Sequence, residues 1–141
     1  MRYIFLFLLT IQSAFAIHHV RPYDARVANI ISSIQSDSSE SIISLGYTAD
    51  AEWFFVTNKN FYFSDPNYFI RLNGLKGALE NSRRLGREIL NVSVGNDDHW
   101  VILHKDNSFV VSDRTHFQDS RLWNRLVSLR DRNRPAQRVY L

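Results

Sequence analysis

Past residue 41 the chain alternates between short blocks of β-branched and aromatic residues and longer stretches with a helical spacing of apolar positions. The short blocks are Ile42 to Leu45, Trp53 to Thr57 and Phe61 to Ser64, then Ile89 to Val94, Trp100 to His104 and Phe109 to Ser112. Their length and composition predict six strands. Asn58-Lys59 and Lys105-Asp106-Asn107 are turn chemistry, because Asn and Asp tolerate left-handed backbone. Connections this short join antiparallel neighbours, so each set of three strands is predicted to be a β-meander. Trp53 and Phe55 point one way and Phe54 and Val56 the other, so the middle strand is apolar on both faces. Such strands are covered on both sides. One cover is expected to be helical, the other the sister meander or a partner.

A helix is predicted before each meander. Val27, Ile30, Ile31 and Ile34 fall on one helical face, with Asp24 placed to favour the first turn. Leu72, Leu75, Leu79 and Leu85 form a poorer stripe, weakened by Gly74 and Gly77. A third helix is predicted from Ser120 to Asp131, with Leu122, Leu126 and Leu129 on one side. Val139-Tyr140-Leu141 reads as a short closing strand.

The blocks repeat. Leu45-Gly46 matches Val94-Gly95, and Glu52-Trp53-Phe54-Phe55-Val56 matches His99-Trp100-Val101-Ile102-Leu103. Asn60-Phe61-Tyr62-Phe63-Ser64-Asp65 matches Ser108-Phe109-Val110-Val111-Ser112-Asp113. Spacings of 49, 47 and 48 are what small turn insertions produce. The expected fold is therefore α+β: two internally repeated helix-plus-three-strand antiparallel meander units, over about residues 24–65 and 70–113, followed by a basic C-terminal helix. The last apolar segment would begin a truncated third unit.

The Gly-then-Trp hairpin ending in Ser-Asp (Gly46, Trp53, Ser64 and Asp65, then Gly95, Trp100, Ser112 and Asp113) resembles the tandem blade-like repeats of uncharacterised eukaryotic proteins and of β-propeller lectins. The resemblance spans about residues 42–131. It implies a blade-like meander and no more. A closed propeller needs at least four blades, whereas here two copies are separated by a helix, so propeller function is not carried over.

The N-terminus reads as a secretory leader: Arg2, an uncharged apolar run from Tyr3 to Ile11, and Ala14-Phe15-Ala16 as a small-residue cleavage site. Residues 1–16 are expected to be removed and the protein secreted. The rival reading is an uncleaved N-terminal helix. The run falls short of the roughly 20 residues that cross a bilayer, and charges interrupt every later apolar stretch, so no transmembrane segment is expected. The remaining 125 residues, 17–141, suit a single domain. There is no cysteine, which excludes disulfide scaffolds, thiol catalysis and thiolate zinc sites. The core must hold without staples, and ten Phe, six Tyr and three Trp supply large areas to bury.

Charge is almost balanced in total but uneven in place. From Ser120 onward six arginines face one acid, Asp131. Arg121, Arg125 and Arg132 lie in this stretch, and Arg83, Arg84 and Arg87 end the second predicted helix. Basic helix ends are ordinary dipole chemistry. Functionally they would suit an extracellular acidic glycan or protein. Secretion and the absence of any accompanying motif argue against nucleic acid.

Three further groups carry possible chemistry. Cleavage after Ala16 would leave Ile17-His18-His19, and a free amine with His in third place can wrap Cu(II) in a square plane; a terminus that merely contains two histidines is the plainer account. Asp97, Asp98, His99 and His104 crowd the second meander, where acid–base catalysis or metal binding is conceivable, against the simple preference of Asp for turns. Asn91-Val92-Ser93 is an N-glycosylation acceptor sequence. Phosphate loops, serine elbows and His-Glu-X-X-His motifs are absent. The expectation is a secreted non-enzymatic binding or effector protein with a protein or glycan partner; the alternative is a secreted hydrolase using the acids and histidines of the second meander.

Overall fold

The computed structural model describes residues 25–141 except positions 49, 73, 96, 119, 135, 137, 138 and 140. Residues 1–16, expected to form a leader, and His18 and His19 lie outside the described residues. In order the elements are α1 (Ala25–Ser36), β1 (Ile42–Tyr47), β2 (Trp53–Thr57), β3 (Phe61–Phe63), α2 (Pro66–Arg71) and α3 (Leu75–Arg84). Then follow β4 (Ile89–Val94), β5 (Trp100–His104), β6 (Phe109–Val111), α4 (Arg114–Phe117) and α5 (Arg121–Asp131). Helix and three antiparallel strands thus occur twice, with a C-terminal helix after them, as the apolar pattern predicts. The chain divides into two compact units after Ser36. The first contains α1, an amphipathic helix whose Val27 and Ile34 are buried. The rest of this description concerns the second unit.

Each sheet has three strands in sequence order, β1-β2-β3 and β4-β5-β6. The two copies agree residue by residue. Ile42 pairs with Thr57 and Ile89 with His104, and a bulge follows both pairs. Thr48 N–H donates to Glu52 O and Gly95 N–H to His99 O, closing the same β1–β2 turn twice. Ala51 and Asp98 sit at φ 61° and 62° in those turns, a left-handed position that costs an L-residue energy in both copies. After β2 the spacing grows by one, because the hairpin between Thr57 and Asn60 is one residue shorter than that between His104 and Ser108, where Asn107 takes φ 65°.

This register corrects one equivalence drawn from the sequence. Gly46 lies opposite Phe54 and Ser93 opposite Val101, so Gly46 matches Ser93 and not Gly95. The reason is steric. A Cβ on Gly46 would fall 2.4 Å from the Phe54 ring. The second copy has a smaller valine there and carries a serine.

The stripe from Leu72 to Leu85 is poor because only Leu75 and Leu79 lie within α3, Leu72 and Leu85 being the C-caps of α2 and α3. α2 starts at Pro66 with Asp65 as its N-cap, accepting from Asn67 N–H, and α3 starts after Gly74 at φ 73°. The second copy repeats this with Asp113 capping α4 through Thr115 N–H and Ser120 capping α5 through Trp123 N–H. The one-turn α4 has no helical apolar period, which is why pattern reading passes over it.

Packing alternates sheet and helix. Phe54 and Val56 on one face of β2 bury Phe69, Leu72, Leu75 and Leu79 from α2, α3 and the corner between them. Trp100 and Ile102, from β5, close the same core from the other side. The opposite face of β5, Val101 and Leu103, packs on Phe117, Leu126 and Val139. The second cover of β5 is therefore the helical layer of the preceding copy and not the sister meander. Trp100 Nε1–H donates to Leu72 O at 3.0 Å and locks that layer to β5. Trp53 and Trp100 are both buried, at 5% and 2% exposure.

The first strands of the two sheets, β1 and β4, meet through side chains. Ser44 Oγ on β1 donates to Val92 O at 2.9 Å and accepts from Val92 N–H at 3.2 Å. One repeat further on, Asn91 Oδ1 accepts from Val139 N–H at 3.2 Å, and Ser93 Oγ donates to Val139 O. Val139 is buried. Val139 docks on β4 much as Val92 docks on β1, but neither Val139 nor Leu141 belongs to a strand, so the closing strand expected there does not form among the described residues.

Candidate functional site

The acids and histidines of the second meander separate into three environments. His104, at the end of β5, is 2% exposed. Its Nδ1 lies 2.9 Å from Ser108 Oγ and its Nε2 3.0 Å from Ser82 Oγ, and burial lowers its pKa. It is a buried polar anchor between sheet and α3. Asp98 occupies the left-handed turn position, where Tyr68 of the preceding copy donates to Oδ1 at 3.4 Å. Asp97 and His99 come together on the outer loops, and His116 of α4 joins them. The four residues singled out from sequence thus do not converge on one place.

The Asp97–His99–His116 cluster has defined geometry. One ligand atom from each residue lies within 4.8 Å of the other two. His116 Nε2 is 3.2 Å from Asp97 Oδ2. The two imidazoles stack with centroids 3.7 Å apart and planes inclined by 15°. His99 Nδ1 lies 3.0 Å from Ser112 Oγ, which also accepts Trp100 N–H at 3.1 Å. Buried Phe117 sets its ring edge-on to both histidines, at 5.9 and 5.0 Å. Ser112 and Phe117 belong to the shared repeat framework, so the fold itself delivers the two rings to one spot. His116 was invisible to local reading, being one residue in a short, mostly polar segment. The signal that locates it is the repeat, since it occupies the position of Tyr68.

The first copy fills the same three positions with Asp50, Glu52 and Tyr68. There Glu52 accepts from Ser64 Oγ, and the Tyr68 hydroxyl donates to Asp98 of the other copy. The framework is common to both copies; the loop chemistry is not.

The arginines fall into two classes. Arg83 lies 3.8 Å over the Phe61 ring and reaches Thr57 O at 3.5 Å. Arg130, its counterpart, lies 5.9 Å from the centre of the Phe109 ring and pairs with Asp131 at 2.9 Å. Both tie a helix end to a β-hairpin. Arg84 and Arg87 are exposed at the end of α3, Arg84 bonded to Asn81. Arg121, Arg125 and Arg132 are exposed, and none forms an ion pair with a described residue. Leu126 is buried beside exposed Arg125, and Leu122 and Leu129 are half-buried.

Asn91 lies within β4, half-buried, its Oδ1 taken by Val139 N–H. No described helix is long and apolar enough to cross a membrane.

The fold and its paired loop sites define an α+β repeat protein. Comparison with protein-family models, with curated proteins and with solved structures finds no match.

Proposed function

We propose that this chain is a secreted, non-enzymatic binding protein that takes an acidic glycan on the outer face of α5. The observation that carries the reading is the row Arg121, Arg125 and Arg132. Residues four and seven apart share a helical face, and these three are exposed with no ion pair to a described residue. The one acid of this stretch, Asp131, is already occupied by Arg130. Guanidinium groups take sulfate and carboxylate oxygens in bidentate fashion. Because the apolar side of the helix is committed to the core through Leu126, charge on the outer side can change without cost to the fold.

Retention of the secreted protein on a heparin column is the test. The wild type is expected to bind and to elute with rising salt, since surface charge is screened over about 10 Å at 0.1 M. Arg121→Glu with Arg125→Glu is expected to elute far earlier, with an unchanged melting temperature. Retention unaltered by that pair would overturn the reading.

A further inference from the structure

We propose that Asp97, His99 and His116 form a binding site for a divalent transition metal of the zinc class on the outer loops of the second repeat. This goes beyond the arginine reading and does not depend on it. Two imidazoles and a carboxylate are a standard three-ligand set for Zn(II), leaving one position open for water or an anionic oxygen. The three ligand atoms lie within 4.8 Å of one another, so a modest closing movement brings them to the roughly 3.3–3.6 Å that separates ligands held about 2.0–2.2 Å from one tetrahedral ion.

The surroundings favour ligation. With His99 Nδ1–H given to Ser112 Oγ, the Nε2 lone pair is left for a metal, the arrangement that orients metal-bound histidines elsewhere. Ser112 Oγ has a second lone pair for Trp100 N–H, so both of its acceptor positions serve the framework. Asp97 Oδ2 and His116 Nε2 lie 3.2 Å apart, close enough for one ion to take both as ligands. Parallel rings cannot aim in-plane lone pairs at one point, so the His116 ring must turn out of the stack. Its exposed position on α4 leaves it room to do so.

The comparison between copies sharpens the assignment. In the first repeat the Ser64 hydroxyl donates to the Glu52 carboxylate and closes the same corner by hydrogen bonding. The second repeat replaces Glu52 by His99 and Tyr68 by His116. A hydroxyl–carboxylate contact has thus become a two-imidazole, one-carboxylate set on an otherwise conserved backbone. Metal binding is accordingly expected of the second repeat only.

Zinc titration of the untagged secreted protein by calorimetry tests this, with imidazole NMR signals as a second readout. One equivalent of zinc is expected to bind and to shift the signals of His99 and His116. His99→Glu with His116→Tyr gives the second copy the residues of the first, which the same backbone already accommodates. Its affinity is expected to fall by at least about tenfold, and Asp97→Asn is expected to weaken binding with both rings intact. His18→Ala with His19→Ala is expected to leave this equivalent in place. Absence of binding at millimolar zinc would overturn the proposal. So would binding that survives the His99/His116 pair or vanishes with the N-terminal pair.

Discussion

His104 shows how one position can change meaning between copies. Its counterpart is Thr57, whose hydroxyl donates to Glu40 at 2.5 Å in a half-exposed network. Placed against α3 between Ser82 and Ser108, the imidazole is buried, and burial lowers its pKa from 6.5. The unfolded chain therefore binds a proton below about pH 6.5 that the folded chain resists. Stability from this residue is complete above that pH and falls as the solution is acidified. The carboxylates Glu40, Asp106 and Asp113, whose pKa values are lowered by hydrogen bonds, lose their contributions only in more acidic solution. The melting temperature of the wild type is expected to drop between about pH 7.5 and pH 5, and that of His104→Thr to drop less. Equal drops would show that the histidine is not held neutral by the fold.

Among the elements, β2 and β5 carry the structure. Each residue of either strand is buried, because β5 has a helical layer on both faces and β2 has one on the Phe54 side. Trp53→Ala and Trp100→Ala should each cost roughly 3–5 kcal/mol, as large aromatic truncations in cores do. Trp100 also supplies the indole N–H that holds the corner between α2 and α3. Chemical denaturation of the two variants checks the losses. A loss below about 1 kcal/mol at either site would contradict its burial. The legibility of these strands is easily explained. Apolar residues in short blocks between turn signals have few other ways to be satisfied. What the pattern could not tell was which layer covers the second face, since a helix and a sheet both suffice.

For the molecule as a whole, the repeat interface is the organising contact. The polar side chain two residues after the start of β1 or β4, Ser44 or Asn91, bonds to the backbone one repeat on, at Val92 or Val139. Val139 is thereby part of the core. Val139→Ala should cost about 1–2 kcal/mol from lost burial and should also raise hydrogen exchange at the β4 edge. A variant as stable and as protected as the wild type would mean that the segment merely rests on the surface.

Read alone, the sequence determines a good deal of this. Strand positions, hairpin turns, the doubled unit and the Trp53–Trp100 equivalence all follow from local pattern, because turn residues and alternation act over a few positions. The exposure of Arg121 and Arg125 follows from helical spacing in the same way. Other features depended on the third dimension. The match of Gly46 with Ser93 turns on the size of the residue across the strand pair. The separation of His104 from Asp97 and His99 turns on which end of β5 is covered. The arrival of His116 beside His99 depends on a one-turn helix carrying it back over the β4–β5 turn. Such juxtapositions join residues far apart in the chain, and only the packing of sheet on helix decides which of them meet.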